Sequence, residues 1–112
     1  MFYLDTCVLV SAFSTEVFSF RAVDWLLQQT EAQLLISDWQ ITEFSSALSM
    51  KLRTRQMDMK QRSDTLAQFT AYMDSRLQVL PVSSQDFRDA AHLANYHQFG
   101  LRSGDALHLA VA

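Results

Sequence analysis

The sequence is poor in the residues that cross-link or punctuate a chain. Cysteine occurs once, at Cys7, which excludes an internal disulfide framework and suits a reducing compartment. Two glycines and one proline in 112 residues leave no room for a collagen-like or low-complexity protein. No apolar run approaches the ~20 residues that span a bilayer. The opening Met1-Phe2-Tyr3-Leu4-Asp5 lacks the basic and apolar regions of a secretory signal, so the sequence reads as cytoplasmic with no membrane association. Nine basic residues against twelve acidic ones give a net charge of −3. That balance does not favour a sequence-blind nucleic-acid coat, and it leaves room for an enzyme that meets nucleic acid through a local basic patch. What the chain has in quantity is apolar residues, 49% of the total, too many for a disordered chain. The length predicts one domain over 1–112 with a single core.

Polar clusters cut the chain into alternating short apolar runs and long breaker-free stretches. The runs at 2–5, 33–37 and 77–82 predict strands, Pro81 marking the end of the last. The stretches at 6–13, 17–30, 38–56, 58–76, 84–98 and 103–112 predict helices. Ser37-x-x-Gln40 has the form of a capping box opening the third helix, and Gly100 is placed to stop the fifth. Strands separated by helices imply parallel pairing, hence a three-layer α/β/α fold with a short sheet. Ligands bind such sheets beyond the carboxyl ends of their strands, where Asp5 falls. The sequence stops inside the apolar run Ala106–Ala112 without a cap, and three strands make a thin sheet. The expectation is therefore a fold lacking its last strand, incomplete at its C-terminus.

Three of the twelve acids stand out. Asp5 lies between Phe2-Tyr3-Leu4 and Thr6-Cys7-Val8-Leu9-Val10, where a buried carboxylate requires a hydrogen bond, a counter-charge or a metal. The alternative is an acid that caps the helix starting at Thr6. Glu43 sits opposite the face made by Ile41, Phe44, Leu48 and Leu52. At ~100° per residue, Trp39, Ala47 and Met50 fall within about 40° of it, which makes a second apolar stripe. An exposed Glu beside amphipathic neighbours is the other reading. Asp105 enters a helix that is apolar almost all round, softened by His108 one turn on; stabilising the helix N-terminus is its simpler role. If the three acids meet, mutual repulsion requires a cation. Oxygen donors without paired Cys or His select Mg²⁺ or Mn²⁺ over zinc. Such an ion positions water and stabilises charge in phosphodiester hydrolysis.

The segments Tyr3–Val10, Ser37–Phe44 and Leu101–Ala110 resemble, in order, three acidic motifs of PIN-domain nucleases, and most closely the VapC-type toxins of bacterial toxin–antitoxin pairs. The likeness covers essentially the whole chain. It implies a Mg²⁺- or Mn²⁺-dependent endoribonuclease, usually a homodimer, restrained by a small cognate antitoxin. Asp5, Glu43 and Asp105 match the family's metal-binding and catalytic acids. The family typically has a further strand ending in a Thr-x-Asp-like motif with a fourth acid, which this sequence does not contain.

Other residues carry weaker signals. Lys51, Arg53, Arg55, Lys60 and Arg62 crowd five of the nine basic residues into twelve positions. The first three are candidates to contact RNA phosphates, while a solvated face with an Asp58–Arg62 pair is the plainer reading. Thr6 follows the first acid directly and His108 follows the third by one turn, so both are candidates to support the metal ligands; a helix cap and a core histidine are their ordinary roles. His92 and His97, five apart, make no helical zinc pair. Phe13, Phe18 and Phe20 are candidates for a partner surface. An aspartate-nucleophile phosphatase needs an acid where Cys7 stands, and Cys7 has no cationic sequence neighbour to activate it as a nucleophile. A catalytically silent module that only binds an antitoxin or another protein remains the rival class.

Overall fold

Short apolar strands separated by helices can bury both faces only by pairing in parallel, and this chain does so. A computed structural model describes residues Met1–Ala112 in full. The elements are β1 (Phe2–Tyr3), α1 (Thr6–Phe13), α2 (Ser19–Gln28), β2 (Leu34–Ser37), α3 (Asp38–Arg53), α4 (Met59–Arg76), β3 (Leu77–Leu80), α5 (Ser84–Ala94), a 3-10 turn at His97–Phe99, and α6 (Ser103–Val111). This is an α/β fold whose three-stranded sheet has the order β1-β2-β3. Two compact units make up the chain, Met1–Val79 and Leu80–Ala112.

In the first unit β2 is the central strand, and all four of its residues are buried. Phe2 pairs with Leu34 and Tyr3 with Leu35, in parallel. The Leu4 N–H extends that ladder to the Leu35 carbonyl at 2.9 Å. The Gln33 side chain, one residue before β2, donates to that of Gln78 in β3. The core is built by Leu9, Leu34, Ile36, Phe44 and Leu48 with Phe69. Phe69 of α4 stacks on Phe44 of α3 with ring centres 4.1 Å apart. Phe13, expected on a partner surface, instead lies edge-on to Phe44 and Phe69 and closes this cluster. In the second unit α5 and α6 pack on one another, burying Ala90, Ala106 and Leu107.

The starts of α1, α3, α4 and α5 follow the sequence closely because each has a capping side chain. Asp58 accepts from the Gln61 N–H at 2.7 Å while Gln61 accepts from the Asp58 N–H. Ser83 and Asp86 reciprocate in the same way before α5. Helix ends differ from expectation where backbone geometry intervenes. Arg55 adopts a left-handed φ of 61°, so α3 stops at Arg53 and not near 56. After α5 ends at Ala94, the chain makes the separate 3-10 turn, and Gly100 closes that turn with φ 60° in place of stopping α5. The expected Asp58–Arg62 pair gives way to Lys60–Asp64 at 2.9 Å, because Asp58 is committed as a cap.

The Ser37–Gln40 capping box reaches further than helix capping. Gln40 is fully buried, and its Oε1 accepts from the Ser37 N–H and hydroxyl, each at 2.6 Å. Its Nε2 donates to the Leu4 carbonyl at the end of β1. Replacing Gln40 by Leu keeps volume but strands these buried groups, and the expected loss of stability is about 2–4 kcal/mol in urea unfolding. A loss below about 0.5 kcal/mol, the low end for a single net hydrogen bond, would show that the amide is dispensable.

Candidate functional site

The first unit gathers chemistry at the carboxyl end of β1. Asp5 follows the strand directly in extended conformation and caps α1, its Oδ1 accepting from the Cys7 N–H at 3.2 Å. The capping role is therefore real, and Asp5 is exposed, not buried among apolar neighbours. The strand ends so early because Leu4 turns inward to the core while the next carboxylate is taken up by the helix. Glu43 lies on α3, half-buried, and the buried Thr6 hydroxyl donates to its Oε1 at 2.7 Å. The residue after Asp5 thus holds the second acid.

The two carboxylates act on the same neighbours. Burial raises the Tyr3 phenol above its ordinary value, and Glu43 and Asp5 push the same way. Tyr3 stays protonated at neutral pH and donates to Ser37 Oγ and Gln40 Oε1, each at 3.1 Å. The exposed Cys7 has its thiol raised, first by local desolvation of the sulfur and then by Asp5, Glu16 and Glu43. A thiol held protonated is a poor nucleophile, in keeping with the sequence reading. The donor set of two carboxylates and a hydroxyl is all hard oxygen, which fits Mg²⁺ or Mn²⁺. Within the first unit no third His, Cys, Asp or Glu joins Asp5 and Glu43 as a metal-holding group.

Asp105 belongs to the second unit, in the first turn of α6, and is exposed. The expectation of a fully buried apolar helix fails there: Ala106 and Leu107 are buried but Leu109 is 57% exposed. His108 is half-buried on the same helix. The second stripe around Glu43 is also only partial, since Met50 is 55% exposed while Ala47 packs against the core.

Among the candidate RNA-contacting residues, Arg53 and Arg55 are exposed and Lys51 is not. Lys51 is buried and pairs with Glu16 at 2.9 Å. Ser11 donates to the other oxygen of Glu16 at 3.3 Å, so this lysine pins the 14–18 loop onto α1 and α3. Helical spacing placed Lys51 beside its basic neighbours but held no information about the distant acid that claims it.

An open groove of about 680 Å³ adjoins Asp5, lined by Phe2, Tyr3, Cys7, Phe18, Arg21 and Trp25 among others. Sequence reasoning missed this groove and the bridging role of Gln40. The capping pattern did flag Gln40, yet nothing local announced that its amide would also reach Leu4.

The family model for the PIN domain matches residues 2–112, a span that includes Asp5, Glu43 and Asp105. No curated protein matches the chain.

Replacing Lys51 by Met should lower stability by about 1–2 kcal/mol, reduced from the full cost of breaking a buried pair because Glu16 is partly solvated. Urea unfolding reads this directly. An unchanged midpoint would return Lys51 to the pool of phosphate-binding candidates.

Proposed function

The chain belongs to the PIN-domain family, whose members are generally nucleases and typically use divalent metal ions, and we propose that it is a Mg²⁺- or Mn²⁺-dependent endoribonuclease serving as the toxin of a toxin–antitoxin pair. The observation that supports this reading is the Thr6–Glu43 hydrogen bond, which ties the Glu43 carboxylate to the residue that follows Asp5 at the end of β1. In this reading Asp5 and Glu43 hold the ion, the motif resemblance adds Asp105 as the third acid, and the resemblance of three motifs to VapC-type toxins supports the toxin role. When bound, the ion lowers the pKa of water and stabilises charge on the phosphodiester. The chain's own contribution is orientation. The α1 cap fixes one oxygen of Asp5, and Thr6 fixes one oxygen of Glu43, so neither carboxylate needs to be ordered by the substrate. Arg53 and Arg55 are the remaining candidates for phosphate contact. A cognate antitoxin, a homodimeric state and a cytoplasmic location complete the proposal; no helix is long and apolar enough to cross a membrane.

Asp5→Asn separates the two roles of Asp5, because Asn caps a helix as well as Asp but is a weaker ligand for a hard cation. Cleavage of a mixed RNA pool with Mg²⁺ or Mn²⁺ should stop in this variant and in EDTA, with the unfolding midpoint little changed. Full cleavage by Asp5→Asn would sink the mechanism. Absence of cleavage by the parent protein would favour the silent binding module.

Thr6→Val should slow cleavage roughly 10–100-fold, the usual cost of losing a group that orients a metal ligand. Thr6→Ser, which restores the hydroxyl, should recover most of that rate. If Val cuts as fast as Thr, the hydrogen bond to Glu43 has no part in the reaction.

A further inference from the structure

The groove beside Asp5 opens along β1, an edge strand of the sheet, and metal binding does not account for its lining. It is walled by aromatic rings that the core leaves open: Phe18 is 61% exposed and Phe2 43%. Trp25 is half-buried and meets Phe2 edge-on, at 5.2 Å and 77° between planes, so these two rings are held in place before anything binds. Its volume of about 680 Å³ lies in the ligand-sized range of roughly 300–1,000 Å³. One cation lines it, Arg21, which is exposed and has no ion-pair partner.

Resting on the nuclease reading above, we infer that this groove is a subsite for an unpaired RNA base next to the cleaved bond, with Phe18 and Trp25 contacting the base and Arg21 its phosphate. Three observations favour this occupant. Asp5 lines the same groove, so a base seated there places the neighbouring phosphodiester towards the acid. A free guanidinium in a protein of net charge −3 complements a polyanion. Pre-positioned aromatic faces accept any base, because every base has a π-face, whereas a duplex keeps those faces inside its stack. The subsite therefore predicts preference for single strands with tolerance of sequence.

The test measures binding in EDTA, where cutting is absent, using a short mixed-sequence single-stranded RNA, its abasic counterpart with the same phosphates, and its duplex. The single strand should bind roughly tenfold tighter than the abasic strand, a typical value for one stacked base. Phe18→Ala should erase that difference and Phe18→Tyr should keep it; Phe18 is exposed enough that neither change threatens folding. Arg21→Ala should weaken all three ligands alike and lower the slope of affinity against salt by about one. Cleavage with Mn²⁺, run in parallel, keeps the two readings apart. Cleavage with equal binding of the three RNAs, or with Phe18→Ala unchanged, overturns the subsite and leaves the nuclease standing. Neither binding nor cleavage by the parent chain overturns both. Unchanged RNA affinity in Phe18→Ala together with loss of a dimer in sedimentation would assign the groove to a contact between copies and overturn the subsite.

Discussion

A single buried amide sets the relation between the two acids of the first unit. Gln40 has no access to water, so its carbonyl and its amide must both find partners inside the protein. It accepts from Ser37 at the start of α3 and donates to Leu4 at the end of β1. Asp5 is the next residue after Leu4, and Glu43 lies three residues after Gln40 on the same helix. The position of one acid relative to the other is thus a consequence of satisfying one side chain. Thr6 then makes a direct tie between the two sides, and Tyr3 adds a third through its hydroxyl.

This arrangement costs something electrostatically. Two carboxylates near one strand end raise both the phenol of Tyr3 and the thiol of Cys7, beyond the effect of burial. The same field repels the phosphates of any nucleic-acid substrate. A divalent cation held by these acids, as proposed, would reverse that local sign, and free guanidinium groups at Arg21, Arg53 and Arg55 supply further positive charge without changing the net balance of the chain. A protein of net charge −3 can engage a polyanion only through such local inversion.

Much of the fold was legible because its signals are local. The capping box at Ser37 marks a helix start in the sequence itself, and the apolar run at 33–37 reads as a strand, which the structure makes the buried β2. The end of α3 was not legible, since nothing in an arginine announces a left-handed backbone at Arg55. The candidate acids could be chosen from sequence, but their burial could not. Apolar neighbours in sequence say little about solvent when the chain turns at that residue, as it does at Asp5. Lys51 and Phe13 fail for the converse reason: each is claimed by a residue far off in sequence, Glu16 for one and Phe69 for the other.

The same distinction explains why the groove escaped notice. Its aromatic residues come from β1, from the approach to α2, and from α2 itself, so no periodic pattern unites them. Phe2 and Trp25 are drawn together by edge-to-face packing, while Phe18 stays outside the core. A helix that leaves Phe20, Val23 and Leu27 exposed contributes less to stability than its composition allows. That burial is left unused on an open surface, part of which borders the Asp5 carboxylate and the unpaired Arg21 in the groove that both line.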